Sequence, residues 1–119
     1  MNNRFTPERA ERLLPILRSI AREIGERSRA IERLESALAS ATTRPRGADV
    51  RARAVSAELA HQRRELRFAQ RELARLGCAL DEDHPLRIRI PGEDGTLAGG
   101  YTWSPAEDAP RRNELRIAG

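Results

Sequence analysis

Two apolar repeats of the same period, separated by a stretch of turn-forming residues, constrain this sequence more than any other feature. Apolar side chains recur at alternating steps of four and three residues, at Leu13, Leu17, Ile20, Ile24, Ile31, Leu34 and Leu38, and again at Ala52, Val55, Leu59, Leu66, Ala69, Leu73 and Leu76. This heptad spacing is typical of a helix that packs along another helix. Residues 42–48, which include Arg44-Pro45-Arg46-Gly47, are typical of a turn. The sequence therefore predicts a long, coiled-coil-like antiparallel helical hairpin.

The two repeats also match each other layer by layer. When they are paired outward from the turn, the residue numbers of facing partners add to 89 or 90 in every layer, and half of that sum falls at Pro45. Each repeat has one polar position, and the two positions, Arg27 and Gln62, fall into the same layer. A polar pair of this kind can fix the register of the hairpin at some cost in stability. The alternative is that Arg27 is a buried functional arginine.

Local signals predict where the helices begin and end. Thr6, Pro7 and Glu8 suit the first turn of a helix, which we expect over residues 6–41. Asp49 can cap a second helix over residues 49–76, and Gly77 can end it in a left-handed conformation. Residues 77–119 then form a tail, and the whole of 1–119 is expected to be one domain.

The tail predicts a short antiparallel β segment, which makes the fold class mainly α with a C-terminal β element. Residues 86–90 alternate like a half-buried strand, residues 91–95 form a turn, and residues 96–103 return as a second strand. Residues 104–112 read as a loop and residues 113–118 as a third strand. So small a sheet must pack on something. We expect it to dock at the open end of the hairpin on Leu14, Ile16 and Phe68.

A hairpin of two helices buries only one stripe of each helix and usually needs a further layer. Small residues flank the predicted seam at Ala21, Ser28, Ala30, Ala37 and Ser56, where they would let another helix approach closely. We therefore expect a homodimer that forms a four-helix bundle, acting as a non-catalytic interaction or scaffold protein.

The distribution of charge suggests an alternative function. All 22 basic residues are arginines, and residues 1–76 carry 17 of them against 10 acidic residues. A set at the turn and along one side of the second helix could contact phosphates of RNA or DNA, namely Arg44, Arg46, Arg63, Arg64, Arg67 and Arg71. The other interpretation of these residues is a solvated helix face with Glu–Arg pairs.

No recognisable catalytic or cofactor-binding motif is present, so we expect no enzyme activity and no cofactor. Residues 81–84, Asp-Glu-Asp-His, could ligate a metal, but adjacent residues rarely converge on one ion, and an acidic loop is the favoured interpretation. Cys78 is the only cysteine, which excludes an internal disulfide and suits a reducing compartment. With no apolar run long enough to span a membrane and no secretory signal, the chain is expected to be cytoplasmic.

The opening of the chain resembles a small uncharacterised prokaryotic family whose members begin with a phrase like FT-x-x-EA-x-x-LLP-x-L. The matching positions are Phe5-Thr6, Ala10, Leu13-Leu14-Pro15 and Leu17, and the Leu76-Gly77 helix end, the strand before Pro91, the Asp94-Gly95 turn and Trp103 are also similar. Some members are labelled "cell division initiation protein". The resemblance implies a helical hairpin and no established activity. This sequence lacks the Trp-His pair with which the family's later strand closes.

Overall fold

The computed structural model describes residues 6–41, 48–81 and 86–113. Two long helices, α1 (Pro7–Ala41) and α2 (Ala48–Arg75), pack against each other and are followed by four short strands. These are β1 (Ala79–Leu80), β2 (Ile88–Ile90), β3 (Tyr101–Trp103) and β4 (Arg111–Arg112). The predicted fold class, a helical hairpin with a small C-terminal antiparallel sheet, is confirmed. The chain divides into two compact units, one of Glu23–Ala69 and one of Met1–Arg22 with Gln70–Gly119.

The helix ends follow from the predicted capping residues. The Thr6 hydroxyl accepts a hydrogen bond from the backbone N–H of Arg9 at 3.2 Å, which satisfies a free donor in the first turn. At the end of α2, Gly77 has a positive φ of 80°. The N–H of Gly77 donates to the Ala74 carbonyl at 2.9 Å and that of Cys78 to the Leu73 carbonyl at 3.1 Å, the paired bonds of a Schellman motif. The predicted turn around Pro45 and the capping side chain of Asp49 lie outside the described residues.

Within the Glu23–Ala69 unit, only part of the predicted seam is fully buried. Ile24 and Leu59 are 3% and 4% exposed, and Ala69 is also buried. The other apolar seam residues with described side chains in this unit are half-buried: Ile31, Leu34, Leu38, Ala52, Val55 and Leu66. Two helices alone therefore give this unit a thin core.

The other unit has the denser core. Its sheet is antiparallel throughout, in the order β1-β2-β3-β4. In the central pair Ile88 lies opposite Trp103 and Ile90 opposite Tyr101, and these four side chains are all buried. Leu17 of α1 and Leu73 of α2 are buried in the same unit, at 0% and 2% exposed. Because alternate residues of a strand share one face, the sheet presents one apolar side and one polar side.

The strands differ from the prediction in number and length. β2 begins at Ile88 and not at residue 86, and β3 is only Tyr101–Trp103, because residues 91–100 form turns. A side chain at Gly100 would collide with the Ile90 carbonyl, so this glycine marks the close backbone approach that the sequence suggested. β1 was not predicted, and β4 lies where a loop was expected. The predicted third strand lies outside the described residues beyond Asn113.

The first turns of α1 bury a stripe that shares Leu17 with the predicted seam but otherwise differs from it. Ala10, Leu14, Leu17 and Ala21 are buried, whereas Leu13 and Ile20 are only half-buried. The buried stripe is rotated by about one residue from the heptad seam, because this part of α1 also packs in the unit that contains the sheet.

The observed exposure of these side chains corrects the predicted docking set for the tail. Leu14 is buried, but Ile16 is 49% exposed and Phe68 is 59% exposed, so these two do not serve as docking residues. Ile16 lies two residues from Leu14 and hence on nearly the opposite side of the helix. Phe68 lies five residues before the buried Leu73, about 140° around α2, so it points away from the side that Leu73 buries.

Candidate functional site

A connected polar layer crosses the hairpin within the Glu23–Ala69 unit. Arg27 donates from Nη1 to Gln62 Oε1 at 3.1 Å and from Nε to Glu23 Oε1 at 2.7 Å. Gln62 in turn donates from Nε2 to Glu58 Oε1 at 2.8 Å. The hydrogen bond to Glu23 and the charges of Glu23 and Glu65 raise the pKa of Arg27. The two polar positions that the sequence placed in one layer are therefore brought together, and each has a further partner on its own helix.

A groove of about 650 Å³ opens beside this layer. It is lined by Arg27 and Gln62 and by Glu26, Arg29, Ala30, Glu32 and Arg33 of α1. Ala30 is buried at 8% exposed although it lies outside the predicted seam. Its small side chain leaves space between longer side chains of both charges, and this space is the groove. The groove could receive a helix that carries charges in the complementary order.

The arginines predicted on α2 occupy an exposed face of that helix. Arg63, Arg64 and Arg67 are exposed, and Arg63 pairs with Glu35 of α1 at 3.1 Å. Arg64 and Arg67 form no ion pair with another described residue. Arg71 is also exposed and belongs to the other compact unit. Arg44 and Arg46 lie outside the described residues, so the structure assembles the predicted set only along α2.

Two acidic residues of α2, Glu58 and Glu65, contribute to the polar layer and not to ion pairs with these arginines. Glu58 and Glu65 are seven residues apart and so share one stripe. Glu58 accepts the hydrogen bond from Gln62, and the charge of Glu65 acts on Arg27. These two carboxylates therefore serve the polar layer and leave the charges of Arg64 and Arg67 unbalanced.

Two rings lie next to the arginine face. Phe68 follows Arg64 by four residues, which places their side chains one helical turn apart, and Phe68 is 59% exposed. His61 is exposed three residues before Arg64 and seven before Phe68, on the same side of α2 as that ring. The sequence alone gave His61 no binding role and assigned Phe68 to the docking of the tail. Exposure of the phenyl ring depends on which stripe of α2 is buried, and the sequence does not show this.

A second group of contacts, which sequence reasoning missed, fixes the sheet to α1. Arg18 donates to the carbonyls of Pro105 and Glu107 at 3.1 and 3.0 Å, and its guanidinium lies 5.2 Å from the centre of the Trp103 ring. The fully buried Trp103 donates from its indole nitrogen to the same Glu107 carbonyl at 3.0 Å. Partial burial would raise the pKa of Glu107, but hydrogen bonds from Arg111 and Ser104 outweigh it and lower that pKa. The side chains of this group direct their described hydrogen bonds to one another and to nearby backbone carbonyls, so the group has a structural role.

Among the described residues, those considered for metal or nucleophilic chemistry are not assembled into a site. Of the acidic loop, Asp81 alone is described, and residues 82–84 lie outside the described residues. The described part of the chain contains no group of three or more His, Cys, Asp or Glu side chains able to hold an ion. Cys78 is 4% exposed, and burial raises the pKa of its thiol to about 12. A thiol in that state is protonated at neutral pH and does not act as a nucleophile.

No helix in the described part of the chain is long and apolar enough to cross a membrane. Comparison with curated proteins gives no match, and comparison with solved structures gives none either. The model of a protein family described as "Uncharacterized conserved protein (DUF2203)" matches residues 3–109, and this description names no activity. The match covers the helical hairpin and most of the sheet, in agreement with the resemblance seen in the opening residues. The chain is therefore a member of the DUF2203 family of uncharacterized conserved proteins.

Proposed function

We propose that this protein is a non-catalytic interaction or scaffold protein that works as a homodimer in the cytoplasm. The observation that carries the proposal is the incomplete burial of the seam in the Glu23–Ala69 unit. Ile31, Leu34 and Leu66 are half-buried in a single chain although they lie at heptad positions. Covering these partly exposed apolar side chains with a further helical layer lowers the free energy of the protein. A second hairpin supplies that layer and completes a four-helix bundle.

The groove beside Ala30 supports a second copy as the occupant. Glu26 and Arg33 lie four and three residues to either side of Ala30. If two α1 helices cross antiparallel about Ala30, Glu26 of each copy comes opposite Arg33 of the other. A two-fold axis repeats every contact, so one favourable charge pair becomes two. The small side chain at the crossing point allows the helices to approach closely.

The proposal of a non-catalytic role rests on the kinds of groups that the structure offers. The polar side chains at the groove are arginines, glutamates and one glutamine, and their contacts join them to one another. The buried Cys78 is protonated at neutral pH, and a lone buried thiol also suits a reducing compartment such as the cytoplasm.

The oligomeric state tests the proposal. Size-exclusion chromatography with light scattering should give twice the chain mass of 13.4 kDa for the unmodified protein. Ala30→Glu adds bulk and charge at the centre of the groove and should give a monomer that keeps its helical circular dichroism. The matched control is Ala57→Glu, because Ala57 is an exposed alanine of α2 outside the groove lining.

Two results would count against the proposal. A mass of one chain for the unmodified protein at high micromolar concentration would remove the homodimer. If instead both variants were dimers, the homodimer would stand but its interface would not be the groove at Ala30.

A further inference from the structure

We propose that the exposed face of α2 formed by His61, Arg64, Arg67 and Phe68 binds single-stranded nucleic acid. We call this set the α2 face, and all of it lies within the Glu23–Ala69 unit. The inference goes beyond the role of an interaction protein and does not depend on dimer formation. It names phosphate and base as the chemical groups recognised, with arginine contacting the first and an aromatic ring the second.

The first support is the uncompensated positive charge. Arg64 and Arg67 are three residues apart on α2, and neither forms an ion pair with another described residue. Like charges at this spacing destabilise a helix, and a bound anion would relieve the repulsion. The acidic residues Glu58 and Glu65 of α2 act on Gln62 and Arg27 instead, and Glu72 pairs with Arg75. The charges of Arg64 and Arg67 are therefore not offset by any ion pair with a described residue, and they can attract phosphate.

The second support is the exposed aromatic ring beside those charges. Phe68 is 59% exposed and lies one helical turn from Arg64. An exposed phenyl ring is a platform on which an unpaired base can stack, and proteins that bind single strands combine such platforms with basic grooves. His61 lies two turns before Phe68 on the same side of the helix and offers a second ring. A duplex keeps its bases stacked inside, so this arrangement favours a single strand over a duplex.

Fluorescence anisotropy with a short labelled RNA strand of mixed sequence tests the proposal. Binding should weaken steeply from about 50 to 200 mM salt, with a log–log slope near −0.7 for each phosphate neutralised. Arg64→Gln with Arg67→Gln should weaken binding about tenfold or more and reduce the slope by about 1.4, because two charges are lost. Phe68→Ala should weaken binding by about tenfold and leave the slope unchanged, because stacking releases no counterions.

The matched control for charge is Arg12→Gln with Arg22→Gln on α1, two arginines outside the groove lining. Both arginines are exposed, and the double variant removes the same total charge from a different helix. It should leave the affinity within about twofold and the salt slope unchanged. The same labelled strand annealed to its complement should bind more weakly than the single strand.

Three outcomes would overturn the inference. The first is no binding at low salt, and the second is an equal loss of affinity in the two double-arginine variants. The third is unchanged affinity for Phe68→Ala. Sedimentation velocity on the same Phe68→Ala protein separates this inference from the homodimer. If the variant becomes a monomer but keeps its RNA affinity, the ring belongs to a subunit contact. The α2 face is then rejected as a nucleic-acid site.

Discussion

Replacing Arg18 by Ala removes the side chain that joins the N-terminal part of α1 to the segment after β3. The change deletes two hydrogen bonds, to the carbonyls of Pro105 and Glu107, and the contact of the guanidinium with the Trp103 ring. A cation–π contact at a partly exposed position contributes about 0.5–1 kcal/mol. Each hydrogen bond contributes about 0.5–1.5 kcal/mol, and these exposed ones belong at the lower end. The free energy of unfolding should therefore fall by about 2 kcal/mol.

The assay uses a convenient property of the chain, which contains a single tryptophan. Trp103 fluorescence reports on the sheet and its surroundings, while circular dichroism reports mainly on the two helices. For a protein of this size, about 2 kcal/mol corresponds to a midpoint lowered by roughly 6–10 °C. The fluorescence transition of Arg18→Ala should shift by that amount, and the emission should move to the red as the indole becomes more exposed.

The control for Arg18→Ala is Arg22→Ala. Arg22 lies one turn further along α1 and is also exposed, but its side chain forms no hydrogen bond or ion pair with another described residue. Its replacement should change the free energy of unfolding by less than about 0.5 kcal/mol, as for an ordinary surface position. Equal melting of both variants would contradict a stabilising role of Arg18, and so would an unchanged emission spectrum and midpoint for Arg18→Ala.

Three further predictions concern the second unit. Gly100→Ala should unfold the sheet, because the new methyl group meets the Ile90 carbonyl; a native Trp103 emission spectrum would contradict this. Gly77→Ala should lower the free energy of unfolding in urea by about 1 kcal/mol, because its φ of 80° strains any other residue; an unchanged urea midpoint would argue against it. The raised pKa of Cys78 means that the folded chain holds the thiol proton more tightly than the unfolded chain. This contribution to stability is complete below pH 9.0 and is lost as the pH rises toward about 12, so the thiol should resist a disulfide reagent at neutral pH until urea unfolds the protein.

The helical hairpin could be predicted because its information is local and repeated. Arg27 and Gln62 each interrupt a heptad repeat, and the arithmetic of an antiparallel pair places them together. In the structure Arg27 donates a hydrogen bond to Gln62 at 3.1 Å. The helix ends could also be predicted from the sequence, because Thr6 and Gly77 form their hydrogen bonds with residues close to them in the chain.

The sheet was harder to predict because strands this short owe their existence to their partners. β1 and β4 have only two residues each, which leaves no alternation for a pattern to show. Their backbone bonds depend on β2 and β3, which are distant in sequence or separated by turns. The exposure of Phe68 was mispredicted for a related reason. The heptad pattern shows that this ring lies off the seam, but it does not show which off-seam side of each helix a third element will cover.

The hydrogen bond between Arg27 and Gln62 has a consequence for how chain length can vary among relatives. An insertion in one arm between this layer and the turn would move every later residue of that arm out of step with its counterpart. Such a change can be accommodated only by an insertion of equal length in the opposite arm, and most easily in whole heptads. Insertions and deletions in the two arms should therefore occur in compensating pairs, whereas the connection between the arms can lengthen or shorten by itself.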